Sequence, residues 1–122
     1  MPLRRSSGTV VALTLGIWAP ALAAGPSIHV TPSTVRAGRH VRVSGGAGGC
    51  PAGDRVTLIS RAFSHRHEFA GVPAVFARVK SDGRYGVSAP IPRGRRAGRY
   101  SITGRCGGGN FGVTAELRVR GA

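Results

Sequence analysis

Acidic side chains are nearly missing from this chain. Asp54, Glu68, Asp82 and Glu116 stand alone against 18 basic residues among 122, a formal net charge of +14. Four scattered carboxylates give no pair at a spacing that acid–base chemistry uses, and no Gly-x-Ser-x-Gly elbow occurs, so an enzyme is not expected. Lysine occurs once, at Lys80, against seventeen arginines. Tryptophan and methionine also occur once each, as Trp18 and Met1. The only long apolar run, Thr9 to Ala19, is eleven residues, well short of the roughly 20 that span a bilayer. Helical periodicity is missing throughout.

The apolar run instead has the form of a secretory signal. Arg4 and Arg5 supply a positive start, Pro20 breaks the run, and Ala21-Leu22-Ala23 or Leu22-Ala23-Ala24 supplies small residues for cleavage. Residues 1–24 are therefore expected to be a signal peptide, and 25–122 one domain secreted to the cell exterior or wall. Neither cysteine lies near the cleavage site, which excludes a lipoprotein anchor. Without Arg4 and Arg5 the basic count falls to 16 against four acids, a net charge of +12. Trp18 and Met1 leave with the signal, so Val, Ile, Leu, Phe, Tyr and Ala must build the core.

Cys50 and Cys106 are the only cysteines, and in a secreted chain they are expected to form a disulfide. In the chain-entropy picture a loop of this length stabilises by about 4 kcal/mol. Two cysteines make a poor zinc site, which usually takes four Cys or His ligands.

Alternation predicts seven short strands. Ile28 and Val30 share a face in the first, and Pro32-Ser33 ends it. Val41 and Val43 point inward in the second, His40 and Arg42 outward. Gly45 to Asp54 is too glycine-rich for a regular element. Arg55 to Phe63 is the third strand, Ser64 to Gly71 a loop, and Val72 to Lys80 a strand whose Pro73 suggests an edge start. Asp82-Gly83 signals a hairpin. Tyr85, Val87, Ala89 and Ile91 alternate after it. Tyr100, Ile102, Gly104 and Cys106 share one face of the next strand, which is expected to be central. A Gly107 to Gly112 loop follows, then a last strand with Val113, Ala115, Leu117 and Val119 inward. Turn signals every 8–12 residues and no helix predict an all-β, immunoglobulin-like Greek-key sandwich, a bare and monomeric domain.

The stretches VTPSTVRAGRHVRVSG, CPAGDRVTLIS and VKSDGRYGVSAPIPRGRRAGRYSITGRC resemble immunoglobulin-like domains of secreted actinobacterial proteins. They are also similar to prealbumin-like modules related to carboxypeptidase regulatory domains. The resemblance runs from Ser27 to Arg120 and implies a fold without specifying an activity. No tryptophan packs on the bridge, and Tyr100 lies six residues before Cys106 where a tyrosine corner needs two, so an antibody-type domain is not implied. Apoprotein carriers of the neocarzinostatin type share the general plan but have two bridges, so no ligand pocket is carried over.

Two clusters bear on function. Arg93, Arg95, Arg96 and Arg99 form the densest positive run, and Arg118 and Arg120 add charge on the last strand. Such a surface attracts anionic wall polymer, lipid or envelope protein over about a Debye length. Specific nucleic-acid binding is not expected, because stacking platforms need exposed rings among the charges and Phe111 is the one ring expected outside. His65, His67 and Glu68 form a weak metal-ligand set, because a loop does not fix their geometry. No methionine remains for a Cu(I) thioether site. The glycine runs beside the cysteines precede no helix, so they do not read as phosphate loops. The expected function is a non-enzymatic binding module for anionic envelope components, with no cofactor. The alternative is an extracellular carrier of a small molecule or metal.

Overall fold

The computed structural model describes residues 25–122; the expected signal peptide lies outside the described residues. Alternating apolar side chains form β1 (His29–Thr31), β3 (His40–Gly46), β4 (Arg55–Ile59), β6 (Val72–Arg78), β7 (Arg84–Pro90), β8 (Gly98–Cys106) and β9 (Gly109–Arg120). Two further strands, β2 (Thr34–Arg36) and β5 (Glu68–Phe69), fall where the sequence predicts turn and loop. Three strands make a sheet in the order β1-β3-β7, and six make another in the order β2-β9-β8-β4-β6-β5. All pairings are antiparallel except β2 with β9. β8 lies inside the larger sheet, between β9 and β4, as expected of a central strand.

The core lies between these sheets. Val41, Val43, Tyr85 and Ala89 enter it from the smaller sheet; Val56, Leu58, Ile102, Leu117 and Val119 enter from the larger. Truncating one such fully buried aliphatic to Ala costs about 2–5 kcal/mol. Tyr85 is the largest of them, and its hydroxyl donates to the Ser27 carbonyl at 2.7 Å. Gly45 makes that approach possible, because a Cβ there would sit 2.1 Å from the Ser27 carbonyl oxygen. Burial pushes the Tyr85 phenol up to about 12.

Four sequence expectations need correction. The chain after Pro32 is not simply a turn: Val35 is 6% exposed, and burying it seats β2 beside β9. The 64–71 loop contains β5, closed onto β6 through Ala70 and Gly71, both at positive φ. Pro73 accordingly lies opposite Glu68 of this two-residue edge strand. The Asp82-Gly83 turn forms, with the Asp82 carboxylate accepting from Arg84 N–H at 2.9 Å, but its arms pass into different sheets. It is a crossover and not a ladder hairpin.

The fourth correction concerns residues 107–112. Cys106 pairs with Gly109, so only Gly107 and Gly108 turn the chain. The β8–β9 register then slips between Thr103 and Arg105, whose partners are Thr114 and Asn110. The extra residues let Phe111 fold onto Gly104, where a Cβ would come within 2.7 Å of the ring. Phe111 thereby joins the core edge beside Tyr85, ring centroids 6.1 Å apart. The slip also turns Val113 outward, to 37% exposure, against the expectation that it faces in.

Candidate functional site

The register of the larger sheet decides which arginines meet. Arg99 on β8 lies opposite Arg118 on β9, and Arg120 lies opposite Arg36 on β2. Their neighbours Val35, Leu117 and Val119 are buried, so these four side chains project from the outer face. A shallow depression of about 450 Å³ opens beside them, lined by Gly98, Arg99, Arg118 and Arg120. The acid in this row is Glu116, 4.0 Å from Arg99 with both side chains 65% exposed. An exposed pair of that kind contributes about 0–1 kcal/mol and leaves both groups open to solvent partners.

The remaining members of the predicted basic run divide. Arg93 and Arg96 are exposed in the β7–β8 connection, away from the strand register that aligns the others. Arg95 turns inward: its Nε donates to the Ala62 carbonyl at 3.2 Å, and a terminal nitrogen donates to the Phe63 carbonyl at 2.7 Å. Its role is to brace that turn. Arg36, which sequence reasoning missed, takes its place in the cluster. The three-residue Thr-Val-Arg stretch at 34–36 is too short to have signalled it; the parallel pairing with β9 is what places Arg36 there.

Farther along the same face the arginines meet aromatic rings. The Arg105 guanidinium lies over Phe69 at 5.0 Å, and that of Arg55 over Phe76 at 4.3 Å. Arg105 pairs with Thr57 across to β4, and Thr57 with Phe76 across to β6, which puts all three in one row. Phe69 is 40% exposed. A hollow of about 400 Å³ lies among Asp54, Arg55, Thr57, Glu68, Phe69 and Phe76. Arg105 also donates to the Gly108 carbonyl at 3.1 Å, while its Nε is buried without an acceptor. The exposed ring is thus Phe69, with Phe76 half-buried beside it, and the expectation of an exposed Phe111 is corrected by its seat over Gly104.

The weak metal-ligand candidates His65, His67 and Glu68 do not converge as a triad. His65 Nδ1 pairs with Glu68 Oε2 at 2.8 Å, both exposed. His67 packs instead against Phe76, ring centroids 5.0 Å apart. Among the described residues, the metal-type donor atoms that converge in a group of three belong to Cys50, Asp54 and Cys106. The two sulfurs are joined in a disulfide, with Cα atoms 6.2 Å apart, and offer no thiolate. A second, mostly apolar cleft of about 360 Å³ lies where β6 faces the edge strand β7, lined by His67, Val75, Phe76 and Val87.

No protein-family model matches the chain. No curated protein matches it either. Solved structures do. Macromomycin aligns at a TM-score of 0.52 and 16% identity, over 80% of this chain and all of that one. A Pseudomonas fluorescens alkylpurine DNA glycosylase, AlkC, bound to DNA containing an abasic-site analogue, aligns at 0.51 and 18% identity. That alignment covers 80% of this chain but 31% of the glycosylase, so the chain spans about a third of its length. Identities this low establish the shared all-β fold alone. Among the described residues, no helix is long and apolar enough to cross a membrane.

Proposed function

We propose that this chain is a non-enzymatic, immunoglobulin-like binding module of the cell exterior, holding an anionic component of the envelope on the outer face of its six-stranded sheet. The observation that carries the reading is the register that puts Arg36, Arg99, Arg118 and Arg120 side by side, with Glu116 as the acid among them. Like charges held at neighbouring strand positions repel each other and are destabilising unless an anion relieves them. The partner gains in proportion, since a surface of one sign steers and holds a polyanion.

Topology supports the immunoglobulin-like assignment. Constant-type domains place their first, second, fourth and fifth strands together and their third, sixth and seventh in the facing sheet, and the strand in fourth place here, β6, departs from that plan by lying beside β4. Here β1, β3 and β7 share one sheet, and β4, β8 and β9 are adjacent in the other. The bridge differs, because Cys50 lies in the loop after β3 and not on a strand facing β8. A disulfide is at home in an oxidising compartment, which favours the exterior.

Binding of the full chain to a poly(glycerol phosphate) wall polymer tests the reading. Affinity is expected to fall steeply as salt rises from roughly 0.01 to 1 M, while the screening length shrinks from about 30 to about 3 Å. Salt-independent binding, or none at low salt, contradicts it. A carrier function is the second reading, favoured by the apolar cleft between β6 and β7. Its test is equilibrium dialysis with an apolar fluorescent probe and with zinc and copper, comparing His67→Ala. No difference between the two proteins removes it.

A further inference from the structure

We propose that the polyanion this face is built for is single-stranded nucleic acid, bound without sequence preference, with bases stacked on the Phe69–Arg105 and Phe76–Arg55 platforms. The inference rests on the electrostatic reading above and adds the chemical class of the partner. Arg99 and Arg105 lie on the same side of β8 six positions apart, about 20 Å along the strand. A flexible strand laid along this face thus meets the Arg99–Arg118 row with its phosphates at one end and a pair of flat, cation-capped rings at the other.

Three features select bases over other anionic partners. Each ring is covered by a guanidinium plane, so the platform presents flat, electron-poor surface, and a base offers a π-face to either partner. Hydroxyl-rich sugar needs several acceptors, and of the two carboxylates lining the hollow Glu68 is already engaged by His65 at 2.8 Å, which leaves Asp54 alone. A lipid surface needs an uncovered apolar group that protrudes, whereas Phe76 lies half-buried between Arg55 and His67 and the exposed Phe69 carries the Arg105 guanidinium over its ring.

The test measures fluorescence anisotropy of a labelled oligothymidylate and of an abasic phosphodiester strand of equal length and charge, with the full chain at one low salt concentration. Thymidylate is expected to bind about ten-fold more tightly. Phe69→Ala, at a 40% exposed position on the edge strand β5, is expected to erase that difference, and Arg105→Lys, which keeps the charge and loses the plane, to narrow it. Equal affinity for the two strands overturns stacking while leaving the electrostatic reading intact. Binding to neither strand removes both. A polyuronate that displaces thymidylate, and whose own binding is lost in Phe69→Ala, overturns the nucleic-acid assignment in favour of polysaccharide. Melting curves of both variants that match the parent tie any loss to the platform and not to unfolding.

Discussion

Arg95→Ala should destabilise the protein although it removes one member of a repelling cationic surface. The side chain gives two charge-assisted hydrogen bonds, 3.2 Å to the Ala62 carbonyl and 2.7 Å to the Phe63 carbonyl. Both of those residues are fully buried. Truncation leaves their carbonyls with fewer partners in a place water reaches poorly, and each such loss costs about 1–3 kcal/mol. Relief of repulsion returns only a few tenths, since the other arginines of the run are exposed and screened. The net expectation is about 2–4 kcal/mol, which for a domain of this size lowers Tm by roughly 10–20 °C. Thermal and urea unfolding followed by circular dichroism measure it, with Arg93→Ala as the exposed comparison. Arg95→Lys should recover part of the loss, because an ammonium cannot reach both carbonyls in the fork geometry of a guanidinium. If Arg95→Ala melts within a few degrees of the parent, the bracing role is wrong and Arg95 returns to the binding surface.

Gly104→Ala should unseat Phe111, since the new Cβ meets the ring at 2.7 Å. The expected cost is about 1–3 kcal/mol, with greater Phe111 exposure seen by hydrogen exchange at the β8–β9 turn. Tyr85 titrates at about 12 in the folded chain and at an ordinary 10.0 when unfolded, so the unfolded state loses its proton first. Stability owed to this group is therefore complete below pH 10 and is lost as pH climbs towards about 12. Denaturant midpoints should fall across that window in the parent and fall less in Tyr85→Phe. Reducing the Cys50–Cys106 bridge, whose partners are 56 residues apart, should cost up to about 4 kcal/mol. An unchanged urea midpoint under reductant would contradict that.

Most of the scaffold was legible because its strands alternate over five or more residues. Val41 and Val43, Val56 and Leu58, and Tyr85 and Ala89 all take the buried positions their spacing predicts. β2 and β5, of three and two residues, are too short for a period to register, and both exist because a partner strand is already in place. The inward reading of Val113 failed for a different reason. The extra β9 residues between Asn110 and Thr114 take Val113 alone out of the alternation while Ala115, Leu117 and Val119 keep their inward face, and the signal for it, Phe111 packed on Gly104, is a contact between strands and not a pattern within one. The basic site was half legible. Arg118 and Arg120 stood out, but Arg36 joins them only through parallel pairing, and Arg95 leaves them because two carbonyls lie within its reach. Phe69 and Phe76 were read as ordinary strand or loop residues, since nothing in the linear sequence brings Arg105 and Arg55 over their rings.

The central claim is that the outer arginine row holds a polyanion. The most direct measurement is the salt slope of binding to poly(glycerol phosphate) for the parent chain and for the double variant Arg118→Gln, Arg120→Gln. Log affinity is predicted to fall linearly with log salt in the parent, and the slope to flatten by about one for each arginine removed. A slope near zero in the parent, or one the double variant leaves unchanged, would contradict the account.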